Sequence, residues 1–446
     1  MIDRLTAETV EALQALIQNQ CVNDGTPGSG NEIRNATFLR NELENAPVEF
    51  ETFETLPNRT SLIARLPGTD PNAKKLCLMG HTDVVPVSAE SWRHDPFGGE
   101  LIDGEVWGRG AVDMLNLTAS MMVVFRHLAM SNTRYPGDIV FFAVADEEAG
   151  GTHGAEILVD QQWDHLQCDY LLTEYGGLPV GSDQNRSILI TTAEKGVAWR
   201  RIVVTGSPGH GSIPYRSDNA LVTAAEVIRR LSAYRPTAGL DKMWIDRVRA
   251  LDLDADLAKR LCDPAYIQDA LAELPPESAP VAHSCSHTTF SPNVVSGGSK
   301  TNTIPDKVTI DVDIRTLPGE TDADVTTHLR AALGDLHSNV SVETLQNEPS
   351  TSSPTDNRLW HALSSSVREA YPDAGVVPSM VTGGTDARFF RRKGVVAYGA
   401  GLLSPRVSGD EFLRRFHGNN ERIDVDSLRL TTELWINVID RLWADG

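Results

Sequence analysis

His81 and Asp83 stand two residues apart just after an apolar run, 76–79, that halts at Gly80 (LCLMGHTDVVP). A buried strand that ends in glycine and then offers an imidazole and a carboxylate is an odd way to build a core. Similar groups recur at other loop or strand ends. Asp113 follows GRGAV, Glu147 and Glu148 follow the apolar run 138–145, Glu174 follows YLLT, and His417 lies in RRFHGNNE. Two imidazoles with several carboxylates and no thiolate form a donor set suited to zinc, cobalt or manganese. Three carboxylates and a bridging hydroxide carry enough negative charge to balance two divalent cations, whereas one cation would leave a surplus in the cleft. Each group also has a bland reading. His81 could be a satisfied hydrogen-bond donor, Asp83 a cap, Glu147-Glu148 a solvated face, and Asp113 the end of a glycine-rich turn. All of them together, at the ends of adjoining strands, are not explained that way.

The elements that must position these groups follow from periodicity. An N-terminal amphipathic helix carries Leu5, Val10, Leu13 and Ile17, and helices are expected at 31–44, 115–130 and 154–161. Strands are expected at 50–55, 61–66, 76–79, 138–145 and 170–173. Apolar strands alternating with helices predict an α/β fold, a mostly parallel sheet with helices on both faces, which binds ligands beyond the carboxyl ends of its strands. His81, Glu148 and Glu174 fall at those ends. Residues 88–110, rich in glycine and aromatic residues, read as a long functional loop.

From about Gly196 the pattern changes. Segments 197–205 and 307–315 alternate polar and apolar residues, which suits an antiparallel sheet with one wet face, and helices at 219–233 and 323–333 would cover the other. The expected organisation is a catalytic domain in two parts, 1–196 and 346–446, with an α+β domain inserted at 197–345. Within the insertion, 234–283 is a charged, partly helical excursion. A helix at 358–370, a strand at 394–398 and a helix at 425–443 complete the second catalytic part.

Bulk properties narrow the partners. A length of 446 residues favours two domains over one, and the 41% hydrophobic and 23% charged content is that of a globular protein. The net charge of −21 argues against nucleic acid or an anionic membrane surface as a partner and favours a cationic centre in a cleft. Five scattered cysteines without a C-x-x-C fit a reducing compartment. No apolar run approaches the ~18 residues of a membrane span, and the N-terminus lacks a signal-like basic segment, so a cytoplasmic location is expected.

The ordered series GHTDVVP, GRGAVDM, DEEAGG, TEYGG, GHGSIP, TNTIP, DIRTLPG, GGTDAR and FHGNNE resembles the dizinc exopeptidase and amidohydrolase family. That family includes acetylornithine deacetylase, succinyl-diaminopimelate desuccinylase, aminoacylase, glutamate carboxypeptidase and carboxypeptidase S. The resemblance implies two Zn2+ per chain, with Co2+ or Mn2+ as substitutes. It places His81 and Glu174 on one metal and Glu148 and His417 on the other, with Asp113 bridging. It makes Asp83 the carboxylate that orients His81, and Glu147 the general base acting on a metal-bridging water.

By the same resemblance the inserted domain is a ferredoxin-like lid and dimerisation domain. His210 matches a histidine that reaches across a dimer to stabilise an oxyanion, and its bland alternative is a His closing a glycine-rich turn. Asn302 matches a substrate-contacting asparagine. Arg315 matches an arginine used on the substrate's free carboxylate, a role its planar fork suits, with an ion pair to Asp313 or Asp311 as the alternative. In GGTDAR, Gly384 and Thr385 offer backbone N–H groups, and Arg388 rivals Arg315 for the carboxylate. Leu115 stands where many members have Lys, a residue that is not a metal ligand. The excursion tilts the chain toward the carboxypeptidase S and N-acyl-amino-acid hydrolase branch.

The expected reaction is hydrolysis of an amide or peptide bond next to a free carboxylate, in an N-acyl amino acid or short peptide, by a homodimer. Three alternatives stand beside it: a biosynthetic deacetylase or desuccinylase of the family, a non-catalytic metal-binding dimeric module, and a dimetal phosphoesterase. The retained Glu147 counts against the module. The lack of an Arg or Lys clamp beside the acidic ligands counts against the phosphoesterase.

Overall fold

The computed structural model describes residues 1–444 apart from Asn132, Asp183 and Glu277. Leu76–His81 lies near the middle of a ten-stranded sheet, flanked on one side by Ile139–Val144 and on the other by Tyr170–Thr173, both parallel to it. Val396–Gly399 continues the parallel block beside Tyr170–Thr173. Leu76–His81 and Ile139–Val144 are buried throughout, as expected where helices cover both faces. Alternate side chains serve opposite layers. Leu76, Leu78, Ile139 and Phe141 pack with the helices Ile2–Gln18, Leu115–Met130 and Val425–Leu442, whereas Cys77, Met79, Val140 and Phe142 pack with Ile157–Gln161 and Ala387–Arg392. Antiparallel strands flank this block. Arg59–Leu66 and Glu49–Leu56 extend one edge, and Ser187–Glu194, with its antiparallel partners Thr351–Ser352 and Leu178–Val180, lies beyond the other.

Gly80 has a packing reason. A Cβ there would sit 2.3 Å from Thr118 Oγ1 and 3.1 Å from Thr118 Cα, so glycine lets the Leu115–Met130 helix lie against the strand end. Thr118 Oγ1 uses this approach to donate to the His81 carbonyl at 2.8 Å.

The second sheet is wholly antiparallel, and its element order is strand, helix, strand, strand, helix, strand, the ferredoxin-like pattern. Val340–Thr344, Arg200–Thr205, Lys307–Thr316 and Thr289–Gly297 lie side by side in that order. Lys307–Thr316 alternates buried and open positions along its length, and the helices Ala220–Ala233 and Asp322–Leu333 pack on its apolar face. The excursion forms four short helices between Lys242 and Ser286. Their apolar side chains pack against Ala193 and Met380 of the large sheet and against Leu317, just past the end of Lys307–Thr316.

The long loop at 88–110 is not structureless. Glu100–Ile102 and Glu105–Trp107 form a hairpin, and Arg422–Asp424 from the far end of the chain adds a third strand. The turn is Asp103-Gly104, both at positive φ (51° and 79°), the left-handed pair that a two-residue hairpin loop requires.

Candidate active site

Three neighbouring parallel strands deliver His81, the Glu147-Glu148 turn and Glu174 to one edge of the sheet. His81 Nε2 lies 3.1 Å from Asp113 Oδ1 and 3.7 Å from Glu174 Oε2. His417 Nε2 lies 2.8 Å from Asp113 Oδ2 and 3.3 Å from Glu148 Oε2. Asp113 therefore presents one oxygen to each of two donor groups, His81–Asp113–Glu174 and Asp113–Glu148–His417. The five expected ligands are brought together.

His81 Nδ1 faces the Asp83 carbonyl at 3.0 Å, closer than the Asp83 carboxylate oxygen at 3.5 Å. The Asp83 side chain also links the two corners of the site, since its Oδ2 accepts from Asn23 Nδ2 (2.8 Å) and from the Glu148 amide (3.1 Å). Asp146, at φ 73°, turns the chain so that Glu147 and Glu148 both face the cleft. A buried group holds that turn: Arg59 pairs with Asp146, whose Oδ2 accepts from the His153 amide at 2.7 Å and whose own amide donates to Glu32 at 3.3 Å.

The electrostatics are those of buried carboxylates crowded against two imidazoles. Burial and the Glu174 charge push the Glu147 carboxyl well above its usual range. Burial and Asp113 raise Glu148 to about 7, and burial raises Glu174. Hydrogen bonds donated to the Asp113 and Glu148 carboxylates push His417 up to about 10. Burial resists charging His81, but Asp113 and Glu174 outweigh it and hold the imidazole well above its ordinary value. For Asp113, burial is overcome by His417 and His81, and its carboxyl falls below the usual range. Glu148 Oε1 is buried without a hydrogen-bond partner, as is Asp83 Oδ1. Nitrogen and oxygen donors converging in this way, with an orphan oxygen among them, fit divalent cations.

The donor groups open onto a cleft of about 730 Å3 that also runs past Lys195, Trp199, Arg315 and Arg388. Arg315 is paired to Asp313 through Nε (2.8 Å) and Nη2 (3.3 Å), and Trp199 Nε1 donates to the same carboxylate. Among the described residues Arg388 donates to carbonyls alone, those of Thr385 (2.8 Å) and Gly150 (2.7 Å). Gly384 and Thr385 line the cleft, but the Thr385 amide is already taken, donating to buried Glu194 at 2.6 Å. His210 and Asn302 lie together in an exposed turn, with the Gly211 amide on the Asn302 carbonyl at 2.8 Å, and neither lines the cleft of its own chain.

Sequence reasoning passed over several participants. Tyr175 follows Glu174 and meets Phe416 edge to face at 5.3 Å, and Phe416 stacks on His417 at 4.8 Å. Glu194 is buried against Arg391 (2.8 Å), which braces the 383–385 loop. Glu194-Lys195, a charged pair closing the apolar run SILITTA, was the readable signal.

A parallel-centred α/β sheet, an α+β unit above it and paired carboxylate–imidazole groups sharing one aspartate are together the apparatus of a metal-dependent hydrolase. Residues 77–441 match the profile of Peptidase family M20/M25/M40, and the chain belongs to that family. It is 25% identical over 399 residues to the probable carboxypeptidase S-like 2 of Dictyostelium discoideum, covering 85% of this chain and 74% of that one. It is 27% identical over 392 residues to the N-fatty-acyl-amino acid synthase/hydrolase PM20D1 of Xenopus tropicalis, covering 86% and 76%. Among solved structures, the M20 family metallo-carboxypeptidase Sso-CP2 from Sulfolobus solfataricus superposes with a TM-score of 0.70 at 17% identity, over 98% of this chain and 99% of that chain. Among the described residues no helix is long and apolar enough to cross a membrane.

Proposed function

We propose that this chain is a dinuclear zinc hydrolase that cleaves the amide bond of N-acyl amino acids or short peptides beside a free carboxylate. The observation that carries this reading is Asp113, with one oxygen toward each of two donor groups. His81 and Glu174 would hold one cation, Glu148 and His417 the other, and Asp113 both. Such ions supply a Lewis acid for the carbonyl and lower the pKa of water to near neutrality. The chain's residues do the rest. Glu147, beside Glu148 and raised in pKa by burial, takes a proton from the attacking water and returns it to the departing amine nitrogen. Asp83 keeps the His81 ring turned toward Asp113.

Arg388 is the better anchor for the substrate carboxylate. Its hydrogen bonds go to neutral carbonyls and, among the described residues, it makes no ion pair, whereas Asp313 pairs with Arg315. A rate panel should show N-acyl amino acids and C-terminally free dipeptides hydrolysed, and their C-terminal amides slower by ~100-fold or more, as expected when a charged partner is lost. Arg388→Ala should raise KM for the free acids and leave the amides alone. Amides cut as fast as acids would reject the carboxylate requirement, and an effect confined to Arg315→Ala would reassign the anchor.

We further propose that His210 and Asn302 complete the cleft of a second copy. Val294 (56% exposed) and Val295 (55%) on the edge strand Thr289–Gly297, and Leu221 (48%) and Val222 (68%) on the helix packed beside it, leave large apolar side chains exposed along this edge, an arrangement that favours being covered. Mixing inactive Glu147→Ala and His210→Ala chains, then exchanging subunits, should restore part of the activity. A mixture as inactive as its components would place His210 outside the reaction. A reducing, cytoplasmic setting fits the free thiols of all five cysteines.

A further inference from the structure

Arg109 and Glu421 form a buried ion pair, Nη1 to Oε2 2.6 Å, that lines no part of the cleft. The other Glu421 oxygen accepts the amides of Val112 (2.6 Å) and Asp113 (3.1 Å). Arg109 Nη2 reaches the His417 carbonyl at 3.3 Å and the Pro86 carbonyl at 3.5 Å, and the guanidinium lies over the Trp92 ring. One ion pair thus grips the backbone of the shared aspartate and the backbone of His417 at the same time. The small three-stranded sheet makes this possible by pairing Arg422 with Trp107, which sets the Gly108 amide on the Glu421 carbonyl at 3.0 Å.

The two donor groups rest on unequal supports. His81 ends a strand bonded to neighbours on both sides, and the side chains of His81, Asp113 and Glu174 are at most 7% exposed. His417 lies on a loop, in left-handed backbone (φ 55°), with its side chain 46% exposed. A ligand on such a loop stays within reach of Asp113 only while something holds the loop. Asn420 adds a tether by accepting the Arg93 amide at 2.7 Å, but the contact that spans both ligand-bearing segments is the ion pair.

We propose that Arg109 and Glu421 are positioning residues for the second cation, at Asp113–Glu148–His417, and that the protein fills its two positions in order. The first ion enters the strand-built group His81–Asp113–Glu174, and the second follows only while the clamp holds. This rests on the dinuclear reading above. The test is a Zn2+ titration of metal-free full-length chain by calorimetry and native mass spectrometry. Wild type should take up two ions in resolvable steps. Glu421→Gln should weaken the second step by ~10–100-fold, the usual range for partners of metal ligands, and leave the first within about threefold. Arg109→Lys keeps the charge pair but cannot also reach the His417 carbonyl. It should show the same selective loss and serves if the Gln variant does not fold. Equal weakening of both steps, or two wild-type steps in Arg109→Lys, would overturn the proposal. Uptake of fewer than two ions by wild type would instead refute the dinuclear reading.

Discussion

Glu147→Ala is expected to lose on the order of 10³-fold in kcat while binding as much metal as wild type, because it removes proton transfer and spares every ligand. Three features single out Glu147 among the acidic groups. It stands next to Glu148, a proposed metal ligand, on the turn that follows Asp146. It lines the cleft, and it belongs to neither donor group. Its carboxyl is pushed up by burial and by the Glu174 charge, so in the resting site it is primed to receive a proton. The loss should fall on kcat rather than KM, and the acid limb of the pH–rate profile should vanish with it. A variant within tenfold of the wild-type rate and holding its metal would remove Glu147 from the base's role.

Stripping metal with a chelator should abolish turnover, and returning Zn2+ should restore it. The pH dependence of rebinding tests the ligand assignment. His417 is pushed up to about 10 and His81 well above its usual value, so both are expected to hold protons at pH 7 once metal is stripped. A cation must displace those protons, so affinity should fall about tenfold per unit of acidification for each proton released. Calorimetry in buffers of different ionisation heat should count them, and a heat independent of buffer would exclude these imidazoles as ligands. The sign for the metal-free fold is opposite. A histidine whose pKa is raised on folding stabilises most below the unfolded value of about 6.5, and that stabilisation is lost as pH rises through the folded value. The stripped protein should therefore melt at lower temperature as pH climbs toward 10. Saturating metal should raise the melting point most at neutral to alkaline pH, adding about 4 kcal/mol at a thousandfold excess over Kd.

Much of this site was legible in the sequence, and the reason is local. Three of the proposed ligands, His81, Glu148 and Glu174, stand at or just past the end of an apolar run that reads as a buried strand, and parallel strands place their carboxyl ends along one edge. LCLMGH and YLLT therefore located His81 and Glu174 without any long-range information, and the Leu115–Met130 and Arg358–Ala370 helices were readable to the residue from periodicity. The one-sided antiparallel sheet of the insertion was legible from alternation, since Lys307–Thr316 alternates along its whole length, whereas its ferredoxin-like character came from the family resemblance. The strand Ser187–Glu194 was not, because Ser187, Thr191 and Thr192 interrupt its apolar run and only folding buries them. The hairpin at Asp103-Gly104 hid inside what composition presents as loop.

What the sequence by itself determined is an inventory: a donor set without thiolates, strands to carry most of it, and a family to which the motifs belong. What only the tertiary structure decided is which contacts bring those groups together and which of their neighbours stay free. Asp113 and His417 are separated by most of the chain, and no periodicity relates them. A three-stranded sheet and the Arg109–Glu421 pair bring their backbones together, and these are contacts between segments with no local reason to meet. Tertiary structure also showed Arg315 neutralised by Asp313, and the Thr385 amide engaged by Glu194. Charge and hydrogen-bonding capacity are properties of residues, but whether they remain free for a substrate depends on what folding places beside them.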